Sequence, residues 1–586
     1  MNKLGMSFAS LVLAWVATGC GSDGGDSNAS VSTTTGNGST SGGPGGTTTT
    51  TTNAGANTSN VTSGGASTTG ASNTVSGVTT GNTTGTATTA SGTEGTTGAG
   101  GMTSTGSSTE NTTGTSSTTG GEVVPEPTLV TSGQGDYWNV GEVTEGGTSA
   151  TFTVNTTQTF QEWHGWGGTF NEKGWDALQA LSAEDRDRAM KLLFDVNEGI
   201  GFEWGRIPIG PSDYALTRYH LSDAPGQFSV EHDQSYLIPY IKAAQAIKGD
   251  VRYFASPWTP PPWAKSGTTE NMGYDKGYFN TEYYEEYADF LISWIQAYEA
   301  EGIPIDSIMP QNEPGWAQSY PTCAWGPATD STNNTELPNP VTLGTFVDQH
   351  LFPALDAAGL ETNVWMGTLS NNKYFADYWN DMASKPSFER IVGGALQWEN
   401  ELEVGTVAAT GKLVMQSEHK CGNYPWLGSQ ATSAADANRD NFLPNMAPNN
   451  HAYGEESWDL LKQWIDDGVH IYSAWNMVLD HEGFNLDEVR PWPQNAMLAV
   501  NKSTGELNVT PYYYVFRHVA QYVEVGAVRV GINGNALAFK NSDNSVVAIM
   551  FNEGSSASDA TLSVDGRMVQ FSIPARGWAT VNLQPS

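Results

Sequence analysis

Between Trp163 and about Tyr522, short apolar runs alternate with longer stretches of helical pattern. The short runs are Trp163–Phe170, Glu203–Ile209, Val251–Ser256, Ser307–Gln311, Val364–Gly367, Ile391–Trp398, Leu413–Ser417 and His470–Asn476. Their length and punctuation read as strands. Ser182–Asp195, Ser235–Ile247, Thr281–Glu301, Leu343–Ala358 and Ser457–Asp467 read as helices, and Ser182 followed by Asp185 has the shape of an N-cap. Eight strand–helix units over about 350 residues fit a (β/α)8 TIM barrel. A doubly wound open sheet is the competitor, since alternation alone does not separate the two. No Gly-rich nucleotide loop follows any of these strands, which weakens that competitor.

Both flanks of this region change character. Ahead of it, Thr148–Val154 alternates polar and apolar residues and reads as a strand. From about Val523, Val528-Arg529-Val530, Ala536–Lys540, Val546–Asn552, Thr561–Val564, Val569–Ile573 and Ala579–Leu583 read as short strands. Asn-Gly, Asp-Asn and Asp-Gly turns fall between some of them. A lone strand needs partners, so the strand before the barrel is expected to join this small β-domain. The division expected is 129–162 for the N-terminal strands of the side domain, 163–522 for the barrel and 523–586 for the rest of the side domain.

The first 128 residues follow a different logic. Lys3, an apolar run from Leu4 to Ala17 and then Ala17-Thr18-Gly19-Cys20 make a secretory signal, too short for a comfortable membrane span. Cys20 is either incidental to ordinary cleavage or, in a sequence resembling a bacterial lipobox, the site of lipidation. Residues 21–128 are dominated by Thr, Ser, Gly and Asn, which cannot bury enough apolar surface to offset ordering entropy. They read as a disordered tether with a reach of roughly 50–60 Å. An anchored enzyme on such a tether would sit in the bacterial cell envelope at the outer surface, the membrane touched only through Cys20; a cleaved one would be secreted.

Net charge is −36, with 62 acidic against 26 basic residues. That argues against nucleic acid or an anionic polymer as partner, because phosphate binding needs concentrated Lys and Arg. Cys323 and Cys421 form an even pair in an exported chain, and either a disulfide or two buried thiols is open. Neither has zinc-site spacing.

Chemistry concentrates at two strand ends. Met309-Pro310-Gln311-Asn312-Glu313-Pro314 carries an apolar run into Asn-Glu-Pro, and Leu413–Ser417 runs directly into Glu418. In a barrel, strands four and seven would bring both carboxylates to the C-terminal face. Two carboxyls there suit glycoside hydrolysis, where one protonates the leaving oxygen and the other attacks the anomeric carbon. A single such Glu reads more simply as a solvated strand tip. Tryptophans near strand ends, namely Trp166, Trp258, Trp263, Trp316, Trp325, Trp398, Trp426 and Trp475, offer faces and N–H groups for sugar rings, although tryptophan is more often core. The stiff Pro257–Trp263 loop, with four prolines, holds two of them.

His164-Gly165-Trp166-Gly167-Gly168, Gly205-Arg206-Ile207-Pro208-Ile209-Gly210 and Ser212-Asp213-Tyr214 occur in order. Ala255-Ser256-Pro257-Trp258-Thr259-Pro260-Pro261, Gln311-Asn312-Glu313-Pro314, Ser417-Glu418 and Trp475-Asn476 follow. Together they resemble glycoside hydrolase family 30, the glucosylceramidase-like retaining β-glycosidases, from about Phe160 to the C-terminus. The resemblance implies a (β/α)8 barrel with a side β-sandwich built from both ends of the catalytic region. It implies Glu313 as acid/base, Asn312 on the sugar 2-hydroxyl, and Glu418 as nucleophile with Arg206 close enough to keep it ionised. Asp213 and Trp258 match positions that hold outer hydroxyls, and Trp475 a wall of the same subsite. Asn495 and Trp398 complete the candidate substrate contacts. The chain departs from its relatives at Gln397-Trp398-Glu399, where His-Trp-Tyr is common, and in the loop from His419 through Trp426.

The expected activity is hydrolysis of β-glucosidic bonds in a β-linked carbohydrate by a monomer without cofactor or metal. An endo-β-1,6-glucanase of the same family is the alternative. A sugar-binding surface protein that has lost catalysis is the rival of a different class. Metal-dependent hydrolysis and a Ser-His-Asp hydrolase lack their motifs, because His481-Glu482 has no second histidine after it and no nucleophile elbow occurs.

Overall fold

The computed structural model describes residues 128–398, 400–419, 450–489 and 493–584. The signal segment, Cys20, the tether up to residue 127, Glu399, Cys421 and Trp426 lie outside the described residues.

Eight parallel strands form the barrel: β1 (Gly165–Thr169), β2 (Trp204–Ile209), β3 (Arg252–Pro257), β4 (Ile305–Ile308), β5 (Asn363–Val364 and Met366–Leu369), β6 (Gly393–Gln397), β7 (Leu413–His419) and β8 (Ile471–Asn476). Strand β8 pairs with β1, so the sheet returns on itself and the open-sheet competitor is excluded. Strand β5 is split at Trp365; its first piece pairs with β4 and its second with β6. Hydrogen bonds from Trp365 N–H to Ile308 O (3.1 Å) and from Glu313 N–H to Thr368 O (2.9 Å) join β5 to β4 and the loop beyond it.

Alternation along each strand sorts its side chains. Ile207, Tyr253, Ala255, Tyr472 and Ala474 enter the large core shared with the helices. Their neighbours Trp204, Phe254 and Ile471 join Met309, Trp365, Ala395 and Met415 in a separate apolar cluster drawn from seven successive strands or their ends. Strand β1 contributes glycine instead, for a Cβ on Gly167 would meet Trp204 Cβ at 2.8 Å. Two residues further along, the same face turns polar: Arg206 follows Trp204, Ser256 follows Phe254, and Gln311 follows Met309. All three are buried, so the barrel has an apolar floor and a polar mouth.

Helices Ala183–Phe194, Leu237–Gln245 and Tyr284–Ala300 occupy the expected places, and the helix expected over Ser457–Asp467 begins earlier, at His451. Ser182 caps its helix by accepting from Asp185 N–H (3.0 Å). The helix expected over Leu343–Ala358 is two pieces, Leu343–Phe346 and Phe352–Ala358, joined by a π-helical turn. Among the described residues, four α-helices escaped the pattern reading: Glu172–Gln179, Phe375–Ala383, Val404–Ala408 and Pro511–Ala520.

Both chain ends of the described region build one ten-stranded sheet. Thr128–Gly133 pairs with Gly577–Leu583, while Phe152–Glu162 lies between Val528–Ile532 and Ser558–Val564. Strand Ala536–Lys540 shows why its sequence is apolar throughout. Ala536 and Ala538 enter the side domain's own core, whereas Leu537 and Phe539 enter the barrel's. Val546–Asn552 divides in the same way, with Val546, Ala548 and Met550 on one side and Val547, Ile549 and Phe551 on the other. A sheet buried on both faces needs continuous hydrophobic runs, and these strands supply them.

Candidate active site

The polar mouth brings Glu313 and Glu418 together with Arg206, Asn312, Asp213 and Trp398. Glu313 follows the end of β4 with φ of 48°, a left-handed backbone uncommon outside glycine. Glu418 lies within β7, where the register against β6 slips by one residue: Leu396 faces Gln416, but Gln397 faces Glu418. The extra residue, Ser417, is a β-bulge, a device that re-aims the side chain beside it.

Arg206 organises the floor of this site from a fully buried position. It donates to Glu418 Oε2 (2.5 Å), Asn312 Oδ1 (2.6 Å) and Ser256 Oγ (3.0 Å). A buried charge needs a partner and full hydrogen bonding, and Arg206 has both. Thr368 Oγ1 also donates to Asn312 Oδ1 (2.7 Å), which fixes that end of the amide as the oxygen and leaves NH2 as its donor end. The second oxygen of Glu418 accepts from Trp398 Nε1 (2.8 Å). Trp398 also has a left-handed backbone, with φ of 55°.

Glu313 is held differently. Its oxygens accept from Tyr320 Oη (2.9 Å) and Gln397 Nε2 (3.1 Å), with no cation on either among the described residues. Burial, reinforced by the nearby Glu418 charge, pushes its carboxyl up to about 7. Two carboxyls of one type thus occupy opposed environments, one paired with a guanidinium and one held by neutral donors.

Asp213 is buried beside them, and burial followed by the charges of Glu418 and Glu313 raises it well above the usual carboxylate range. Its Oδ1 is buried without a hydrogen-bond partner among the described residues. Trp258 and Trp475 stack on one another (5.4 Å between centroids, 20° between planes), each almost wholly buried. Arg206 Cζ lies 4.4 Å from the Trp258 ring centroid and 5.6 Å from that of Trp475. Their indole faces therefore support the arginine rather than standing open.

Other sequence candidates fall elsewhere. Trp166 packs on Trp163 (4.3 Å) and Trp325 on Phe279 (3.9 Å), both in the core. Trp263 donates to Ser222 Oγ (3.1 Å), away from the carboxylates. Asn495 is fully buried on the segment that reaches the end of β8 through Met497 N–H to Asn476 O (3.1 Å). Cys323 is a buried free thiol whose titration burial pushes up to about 12, while Cys421 lies outside the described residues. Tyr320, Ser256 and Thr368 were not singled out from sequence. Ser256 sits inside the quoted Ala255–Pro261 motif, so its position was visible; nothing local marks Tyr320 or Thr368.

Two family models match. One is described as the glycosyl hydrolase family 30 TIM-barrel domain, over residues 163–523; the other is its beta sandwich domain, over 526–581. Putative glucosylceramidase 4 of Caenorhabditis elegans is 26% identical over 425 residues, covering 68% of this chain and 76% of that protein. Endo-1,6-beta-D-glucanase of Neurospora crassa is 25% identical over 393 residues, covering 63% and 72%. The crystal structure of SrfJ from Salmonella typhimurium superposes with a TM-score of 0.65 at 19% identity, covering 78% of this chain and all of that one. With both of its folded parts matched, one after the other, the chain belongs to glycosyl hydrolase family 30.

Proposed function

We propose that this glycoside hydrolase is an exported, retaining β-glycosidase that cleaves β-glucosidic bonds of the glucosylceramidase or β-glucosidase type, with Glu313 as general acid/base and Glu418 as nucleophile. The observation that carries the reading is the unequal setting of the two carboxyls. Glu418 is ion-paired with Arg206, as an attacking carboxylate would be, and Glu313 is pushed up to about 7, where a carboxyl still has a proton to give. In the first step a Glu418 oxygen bonds to the anomeric carbon as the glycosidic C–O bond breaks, and the Glu313 proton passes to the departing oxygen. In the second, Glu313 takes a proton from water, whose oxygen displaces Glu418 and restores the β configuration. Asn312 would donate to the 2-hydroxyl, and Asp213 Oδ1, unpartnered among the described residues, would accept from a hydroxyl further round the ring. The signal-like start and tether support export, with Cys20 as anchor.

Hydrolysis of an aryl β-glucoside beside a β-1,6-glucan, with the first-formed anomer followed by NMR, tests this reading. Release of β-glucose from the aryl substrate alone supports it. First-formed α-glucose would overturn the double displacement. Oligosaccharides from the glucan would favour endo-β-1,6-glucanase action, a reading supported by the Neurospora relative. Binding without turnover on both would favour a sugar-binding protein.

A further inference from the structure

Consecutive residues of a strand point to opposite faces, yet Gln397 and Trp398 at the end of β6 both reach the reacting carboxyls. Gln397 Nε2 donates to Glu313 Oε1 (3.1 Å), and Trp398 Nε1 donates to Glu418 Oε1 (2.8 Å). The left-handed backbone at Trp398 breaks the alternation and turns its indole back into the mouth. Gln397 itself is wholly buried. Its Oε1 lies 3.4 Å from Ser417 Oγ, the hydroxyl of the bulge residue, so the amide spans from that bulge to Glu313. An amide facing a carboxylate must present its NH2, and that donor strengthens when the carboxyl ionises.

We propose that Gln397 is a positioning residue that acts through Glu313, holding its carboxyl in one orientation and favouring its ionised form with a donor that does not titrate. The assignment rests on the reading of Glu313 as acid/base. Other groups facing Glu313 are Ser370 directly after β5, Tyr320 from the loop after β4, Glu418 from β7, Arg206 from β2 and Asp213 from the loop after β2. Burial and the Glu418 charge favour the protonated carboxyl, whereas Ser370, Tyr320 and Gln397 favour the ionised one. The Gln397 amide is a neutral counterweight in that balance. It keeps the carboxyl acidic enough to release its proton to a leaving group, without adding a second titration to the working range.

The test is the pH profile of kcat/KM for an aryl β-glucoside, measured on the full chain and on the Gln397→Ala, Gln397→Glu and Gln397→His variants. Loss of the donor in Gln397→Ala should move the alkaline limb upward by about one pH unit. Gln397→Glu keeps the shape but sets a carboxyl against Glu313, and should move the limb up at least as far. Gln397→His restores an N–H and should bring the limb back toward the wild-type position, with a second titration now visible. The near-isosteric Glu variant keeps the test informative where the Ala variant fails to fold. A kcat lowered at every pH with the limb unmoved would mark a merely structural role and overturn the proposal. Glu313→Ala, run alongside on a poor leaving group, separates the two readings. Full turnover there overturns both, whereas an inactive Glu313→Ala with an unmoved limb in Gln397→Glu overturns the Gln397 assignment alone.

Discussion

At the scale of single residues, the site trades stability for chemistry at Glu313. Its carboxyl titrates near 7 in the fold against an ordinary value of 4.5. Because the folded value is the higher one, the stabilisation tied to that proton is fully present below 4.5 and is lost as pH rises to about 7. At about 1.4 kcal/mol for each pH unit, the loss by pH 7 is on the order of 3 kcal/mol. Glu313→Gln carries no charge to bury, so its Tm should exceed that of the wild type by a margin that grows between pH 4.5 and 7.5. Any constant cost of facing an amide toward Tyr320 and Gln397 cancels when the two pH values are compared. A margin that stays flat would show that the carboxyl is not strained by ionisation. The same variant should lose acid-assisted turnover, while Glu418→Gln should lower turnover by roughly 10³-fold or more on every substrate, because no nucleophile remains. Quantitative kinetics with good and poor leaving groups separate these outcomes.

Secondary-structure elements set which of these features could be read from the chain. All eight barrel strands lie within their expected runs or have ends shifted by one to three residues, because each is a buried apolar segment bounded by polar turns. Glu313 and Glu418 were legible for the same reason, since an apolar run ending in a carboxylate is a local signal. Glu172–Gln179 escaped because it is only eight residues long and follows β1 almost at once, its start set by the Asn171 side chain accepting from Gly174 N–H. Tyr320 and Thr368 escaped because their roles exist only once loops from different strands meet. The extension of Phe152–Glu162 beyond Val154 was hidden by a polar, largely exposed second half. Helix Pro511–Ala520 was missed too, and it carries His518, whose ring bonds Thr580 Oγ1 (2.9 Å) and Ser132 Oγ (2.8 Å) on two side-domain strands. Burial, with some help from the Arg517 charge, lowers His518 to about 3. A histidine kept neutral by the fold contributes stability that is present above its unfolded value of 6.5 and is lost as pH falls toward 3. His518→Gln should therefore unfold less steeply with acid across that window. His518→Ala should cost about 1–3 kcal/mol at neutral pH, because Thr580 and Ser132 each lose their bond to the ring. Urea denaturation at pH 7.5 and 5 measures both, and equal acid sensitivity in the Gln variant would remove His518 from the account.

Across the whole folded region, barrel and side domain share a core rather than merely touching. Trp163, just ahead of β1, packs edge-on against Phe539 of the side sheet (5.7 Å between centroids) and against Trp166 of β1. Trp458, on the helix before β8, approaches Phe551 (6.2 Å) and donates to Asn535 Oδ1 (2.8 Å). Phe539, Val547, Ile549, Phe551 and Trp578 all belong to the barrel's apolar cluster, although every one of them lies beyond residue 523. Fully burying a large apolar side chain contributes roughly 1.5–3 kcal/mol, so five of them together match the net stability of a typical domain. The sheet is also topologically shared, since Thr128–Gly133 and Phe152–Glu162 precede the barrel in the chain and pair with strands that follow it. Neither part can unfold without exposing apolar residues of the other's core. The folded region should therefore melt in one calorimetric transition with van't Hoff and calorimetric enthalpies in agreement. A chain ending at residue 523 should fail to give a cooperative transition, even with every residue of the polar mouth retained. Two separable transitions in the intact protein, or a truncated barrel that melts sharply and turns over substrate, would mean that the side domain is an independent appendage.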